Sequence, residues 1–387
     1  MKNKIRNMYP GGNTPYGFYS YYNYILPQRE AEKFFCIKGG PGVGKSTMMK
    51  KIGQHFSDIG EDVDYLWCSS DPDSLDGVLL KDRSIAIVDG TAPHIVDPKN
   101  PAAVDRIVDL GKCWDREAIK KNRYDIIKCN ERIGRLFGLA YGYLRCAREK
   151  YIFMEQLLDR IISYEEIREY KNQLQMKLDG ISAIRRAESR ARKDNVLGRA
   201  GYSGRIKKAF AGAITPGGIR SYTDSIISGV EKVIVLETPV GFRTEKLLAP
   251  VSERLIDAGF DTEEYYCPMF PDEKLEHIVC ADAGIAVISV NRYHDIDLGS
   301  INGKVIRMRI GDSPAGNEYE KEHEILRDLW KSAHRELLST VDILKLAKKQ
   351  HDLLENYYVP NMDFAAVGKI QDELIKEIEE TGKTSEK

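Results

Sequence analysis

The 387-residue chain lacks the marks of several large protein classes. Its seven cysteines are scattered singly, with no C-x-x-C pair. That argues against a disulfide framework and for reduced thiols in a cytoplasmic protein. No apolar run approaches the ~20 residues a membrane helix needs, so no membrane partner is expected. The first residues, MKNKIRNMYPGGN, have no apolar centre for a signal peptide. Net charge is nearly absent, 58 Lys and Arg against 59 Asp and Glu, or −1 at neutral pH. No global field therefore draws in nucleic acid or an anionic surface. The length allows two or three domains with sizeable cores.

What is present centres on Gly39-Gly40-Pro41-Gly42-Val43-Gly44-Lys45-Ser46-Thr47. This stretch fits G-x-x-x-x-G-K-[ST], the phosphate-binding P-loop. The apolar run Phe34–Ile37 before it reads as a strand. Met48, Met49, Ile52, Phe56 and Ile59 after it recur at helical spacing, and Gly60 can stop the helix. Glycines let successive N–H groups point at one anion, and the helix presents its positive end to the same phosphates. All nine residues are candidate nucleotide contacts. Lys45 reaches the β- and γ-phosphates, and the Ser46 hydroxyl ligates Mg²⁺.

The next strand, Val63–Cys68, leads into Ser69-Ser70-Asp71-Pro72-Asp73-Ser74-Leu75-Asp76. Strand ends face the ligand in parallel α/β sheets. Asp71, Asp73 or Asp76 can orient a water, take an acceptor proton or hold Mg²⁺ through water. An Asp-Pro turn with Ser and Asp caps explains the same residues equally well. Ser84–Asp89 is an apolar strand ending in Asp, the Walker B pattern whose Asp holds Mg²⁺. One strand is expected between Lys45 and Asp89. His94, shortly after, reads better as a packed or capping histidine than as a substrate contact. The tyrosine-rich stretch 8–24 reads as a loop segment with rings packed on the core.

Residues 101–195 read as helical, resembling a long antiparallel hairpin with a solvated charged face. Residues 185–208 are basic and glycine-containing. They read as a flexible linker, with a phosphate lid or a nucleic-acid contact as alternatives. Then the chain repeats itself. Thr14-Pro15 returns as Thr215-Pro216, Glu32–Ile37 as Glu231–Leu236, Gly60 as Gly259, Cys68 as Cys267, and Ser84–Val88 as Gly284–Ile288. Matches in order at a nearly constant offset of about 200 argue for tandem duplication. The second copy departs at the loop, which reads Glu237-Thr238-Pro239-Val240-Gly241-Phe242-Arg243-Thr244-Glu245, and Ser289 stands opposite Asp89.

With GGPGVGKST, SSDPDSLDGV, VDGTAPH and AGAITPGG in place, the chain resembles the largely uncharacterised bacterial tandem P-loop ATPases with one intact and one degenerate repeat. That resemblance covers nearly the whole chain. It implies ATP binding and hydrolysis, with nucleotide contacts at Gly39–Thr47. The expected fold is α/β: tandem P-loop NTPase-like domains with parallel sheets, each followed by long helical hairpin segments. The expected regions are 1–100, with intact Walker A and B; 101–208, a helical insertion and basic linker; 209–312, the degenerate repeat; and 313–387, helical. No N-K-x-D or D-x-x-G motif supports a GTPase. Gly90 after Asp89, in place of Glu, departs from motor and transport ATPases. The expectation is a Mg²⁺-dependent ATPase using Lys45, Asp89 and one of Asp71 or Asp73, acting on an unidentified protein partner. The alternatives are a nucleotide or small-metabolite kinase with an unidentified acceptor, and a non-hydrolysing ATP-binding scaffold.

Overall fold

A computed structural model describes residues 4–91, 96–181, 184, 186, 187, 203–294, 296, 297, 299, 301, 303–311 and 319–381. The chain divides into two compact units. The first comprises Met1–Tyr141, Ile214–Gly218 and Thr340–Lys387, the second Gly142–Ala213 and Ile219–Ser339.

The first unit holds β1 (Ile5–Met8), the hairpin β2 (Gly11–Thr14) and β3 (Gly17–Ser20), β4 (Lys33–Lys38), α1 (Lys45–Asp58), β5 (Val63–Trp67), β6 (Leu75–Leu80), β7 (Ile85–Asp89) and β8 (Asp105–Asp109). Two helices follow, α2 (Arg116–Lys121) and α3 (Arg123–Ile161), the latter counted with the first unit as far as Tyr141. Six strands form one sheet in the order β1-β5-β6-β7-β4-β8. The central strands β4 and β7 are buried along nearly their whole length, as expected of strands covered on both faces. Met48, Met49, Ile52 and Phe56 of α1 pack on the sheet with Phe35, Ile37, Val78 and Ile87. Gly60 takes φ +97° just after the helix, the left-handed stop its sequence position suggests.

The second unit repeats this order, with Ile214–Gly218 of its hairpin counted in the first unit. After α4 (Tyr164–Asp179) come β9 (Ile206–Ala209), the hairpin β10 (Gly212–Thr215) and β11 (Gly218–Ser221), the one-turn α5 (Thr223–Ile226), β12 (Lys232–Glu237), α6 (Glu245–Asp257), β13 (Thr262–Cys267), β14 (Phe270–Cys280), β15 (Ile285–Val290) and β16 (Lys304–Arg309). Its sheet order is β9-β13-β14-β15-β12-β16, strand for strand that of the first. The long helix α7 (Glu320–Glu355) is counted with the second unit to Ser339 and with the first from Thr340, and α8 (Phe364–Thr381) belongs to the first. The helical stretches expected as separate regions are thus shared between the two compact units.

Several expectations need correction. The sheets are mixed, not parallel: β6 runs antiparallel to β5 and β7, and β14 to β13 and β15. Two strands therefore separate Lys45 from Asp89. The hidden strand is β6, whose Leu75-Asp76-Gly77-Val78-Leu79-Leu80 is buried throughout and so shows no alternation. Asp76 lies on that strand and not in the preceding turn. Residues 105–109 are a strand paired with β4, not helix; the β-branched Ile107 and Val108 suit it. Residues 206–208 of the basic stretch form an edge strand, not a linker, while 185 and 188–202 lie outside the described residues, as does His94. Residues 8–24 contain a hairpin where a loop was expected, yet Tyr9, Tyr21 and Tyr22 are buried as expected. Ile59 is exposed at the end of α1 and is not core.

Candidate functional site

The glycine-rich loop of the first unit joins β4 to α1, and its geometry follows from its residues. Gly42 has φ +69° and Gly44, the residue capping α1, has φ +87°. A side chain is strained at both. Val43 is buried beneath the loop. Lys45 opens α1 and turns back over the loop: Nζ donates to the carbonyls of Gly39 at 2.9 Å and Gly40 at 2.7 Å. Asp89, at the end of β7, stands 3.5 Å from the same ammonium, with both side chains largely buried. Thr91 ties the two strand ends together. Its N–H donates to Asp89 Oδ1 at 2.8 Å and its hydroxyl to Gly39 O at 2.7 Å.

The structure therefore brings Lys45, Asp89, Ser46 and the loop backbone into one place. Ser46 Oγ accepts from Leu75 N at 3.0 Å, which leaves its second lone pair and its proton available. Asp89 Oδ2 keeps acceptor capacity on the side of Lys45. These two oxygens are the ones the loop leaves able to ligate a cation. Thr47 is exposed on the first turn of α1. Pro41, Gly39 and Gly40 contribute backbone only.

The carboxylates after β5 are placed differently from one another. Asp71 shapes a turn: its Oδ2 accepts from Ser74 Oγ at 2.9 Å and its Oδ1 from Asp73 N at 3.4 Å. It also faces Lys348 Nζ at 3.5 Å. Asp73 is exposed, and its carbonyl takes Lys50 Nζ. Asp76 is buried where the β5–β6 register shifts: Leu66 pairs with Gly77, then Trp67 with Leu75. Such bulges re-aim a side chain. Burial, then the Asp76 charge, pushes the Tyr22 hydroxyl and the Cys68 thiol far above their ordinary values, so both stay protonated.

Sequence reasoning missed the C-terminal side of the site. A Cβ at Gly42 would meet Val359 Cγ2 at 2.7 Å and Glu355 at 3.5 Å. Lys348 pairs with Asp352 as well as Asp71. Burial pulls its ammonium down, but those carboxylates outweigh it and the net shift is upward. Helix α8 adds Val367, Leu374 and Ile378 to the core of the first unit. Nothing local in the sequence marks these residues, because more than 300 positions separate them from the loop.

The second unit keeps the backbone of this arrangement with different side chains. Gly241 holds φ +92°, but Phe242 is buried in the loop. Arg243 is paired with Glu245 at 2.8 Å and Asp159 at 3.7 Å. Thr244 Oγ1 donates to Leu275 O at 2.6 Å, reversing the contact Ser46 makes with Leu75. Glu276 occupies the same bulge as Asp76, between the pairs Tyr265–His277 and Tyr266–Leu275. Its carboxylate lies 3.1 Å from His294 Nε2. Burial raises it, but His294 outweighs that and brings it to about 2, while burial pushes His277 down to about 3. Glu276, His277 and His294 stand close enough to share an ion. However, His277 Nδ1 accepts from Ser289 N at 3.3 Å, capping the strand ladder. The ring proton then sits on Nε2, and no lone pair remains there for a metal.

Compared with protein-family models, with curated proteins and with solved structures, the chain matches none. Among the described residues no helix is long and apolar enough to cross a membrane.

Proposed function

We propose that the first unit binds Mg-ATP at Gly39–Thr47 and hydrolyses it, and that the second unit does not. The observation that carries this reading is the position of Lys45. Its ammonium sits at the opening of a helix, bonded to two loop carbonyls and 3.5 Å from Asp89. An anion arriving at the helix end offers it better acceptors than neutral carbonyls. The residues fit the ligand: a glycine loop free to present N–H groups, one lysine, one hydroxyl and one carboxylate.

When bound, Mg-ATP supplies the anhydride to be cleaved and a Lewis acid. This chain's residues do the rest. The loop N–H groups and Lys45 hold the β- and γ-phosphates and neutralise charge that grows in the transition state. Ser46 and Asp89 hold Mg²⁺, and Thr91 fixes Asp89 in place through its N–H. Beside the bulge, the buried Tyr22 and Cys68 stay protonated next to Asp76. Phosphate release by the purified chain with ATP and Mg²⁺ and no acceptor tests the reading. Turnover that strictly requires an added acceptor would favour the kinase alternative, and tight ATP binding without turnover the scaffold.

A further inference from the structure

The second unit has an open cleft of about 610 Å³ at the C-terminal ends of β12, β15 and β16, lined by Glu237, Thr238, Asn291, Arg292 and Arg309 among others. All three strands run parallel, and ligands of open α/β sheets bind at such strand ends. The corresponding positions of the first unit carry different charges. Strand pairing sets Lys38 against Asp109 there, and Glu237 against Arg309 here. Ala92 of the first copy corresponds in sequence to Arg292.

We infer that this cleft binds a small molecule bearing an oxyanion, a carboxylate or a phosphate, through Arg292 and Thr238. Glu237 engages both Arg307 and Arg309, leaving the trio one positive charge in excess. Arg292 adds a second. Its guanidinium lies 4.6 Å over the Trp330 ring, and among the described residues no carboxylate pairs with it. A guanidinium over an aromatic ring still has its N–H donors for an oxyanion. Thr238 Oγ1 is an independent sign. The residue is 8% exposed, lines the cleft, and its hydroxyl has no hydrogen-bond partner. A buried hydroxyl without a partner is rare, and one lining a cleft beside a guanidinium fits an acceptor-rich ligand. The cleft stands apart from the nucleotide reading, which concerns the other unit.

Calorimetric titration of the full Lys45→Ala chain with inorganic phosphate, and separately with malonate, tests it while the first loop is disabled. At least one probe is expected to bind saturably, one per chain; phosphate alone identifies a phosphate ligand, malonate alone a carboxylate, and both the shared chemistry. Adding Arg292→Gln should weaken binding at least about tenfold, and Thr238→Val several-fold. Arg292 is exposed, so its variant should fold, with circular dichroism as the check. No saturable binding of either anion into the tens of millimolar overturns the inference. So does binding that Arg292→Gln leaves unchanged.

Discussion

The two units share a strand order, a β-bulge carrying a carboxylate, a left-handed glycine in the loop and a helix after it. They differ in a handful of side chains at the strand ends. Lys45 lies across its loop toward Asp89, whereas Arg243 turns outward to Glu245 and Asp159. The fold is therefore held by the apolar strands and their register, which both copies keep. The proposed phosphate chemistry rests on a few residues that the second copy lacks, though its sheet keeps the same strand order.

The sharpest way to break this comparison is to exchange the two cations for alanine. Lys45→Ala should weaken Mg-ATP binding at least about a hundredfold and remove turnover, because its ammonium, held by the loop and Asp89, is the cation the loop offers a phosphate. Arg243→Ala should leave kcat unchanged; a loss of about a thousandfold or more with ATP still bound would make it an arginine finger. Asp89→Asn should keep much of the binding but lose Mg²⁺-dependent turnover, measured as phosphate release.

Acid should separate the units next. His277 falls from 6.5 to about 3 on folding and Glu276 from 4.5 to about 2. Both folded values lie below the unfolded ones, so their contribution is full above about pH 6.5 and is lost as pH falls toward 3 and then 2. At about 1.4 kcal/mol per unit, several kcal/mol are at stake. Denaturant unfolding across this range should show the slope, and His277→Leu should flatten it between 6.5 and 3. An unchanged slope would place the titration elsewhere.

A buried and an exposed arginine sharpen the comparison at the sheet edges. Arg6 grips Asp64 at 2.8 Å with both side chains buried, across paired β1 and β5. At the edge of the second sheet Arg205 reaches Asp261 at 2.5 Å in the open, while the residue in register with Arg6 is Lys207, 4.0 Å from Glu263. Arg6→Ala should cost about 3–5 kcal/mol by stranding a buried carboxylate, and Arg205→Ala less than about 1 kcal/mol, read as shifts in the unfolding midpoint.

How much of this was legible follows the same division between local and distant. The loop, β4, β5, β7 and α1 declare themselves through glycine spacing, short apolar runs and helical periodicity, and the repeat through its constant offset. Strand β6 is buried on both faces and carries Asp76, so neither alternation nor a clean apolar run marked it. Strand β8 hid among helical, charged sequence. Lys348, Glu355 and Val359 reach the site by tertiary packing alone.

A small effect is expected at Asp71. Because Ser74 and Asp73 N bond it within a turn, Asp71→Ala should lower stability by about 1 kcal/mol and largely preserve kcat. A large kcat loss at unchanged ATP affinity would instead give it a transition-state role; steady-state kinetics with thermal melts decide.

The central claim is that one unit of two similar ones binds nucleotide. Equilibrium dialysis of the full chain against Mg-ATP measures this most directly. The expected result is one ATP per chain, abolished by Lys45→Ala and untouched by Arg243→Ala. Two ATP per chain, or one that survives Lys45→Ala, would contradict it.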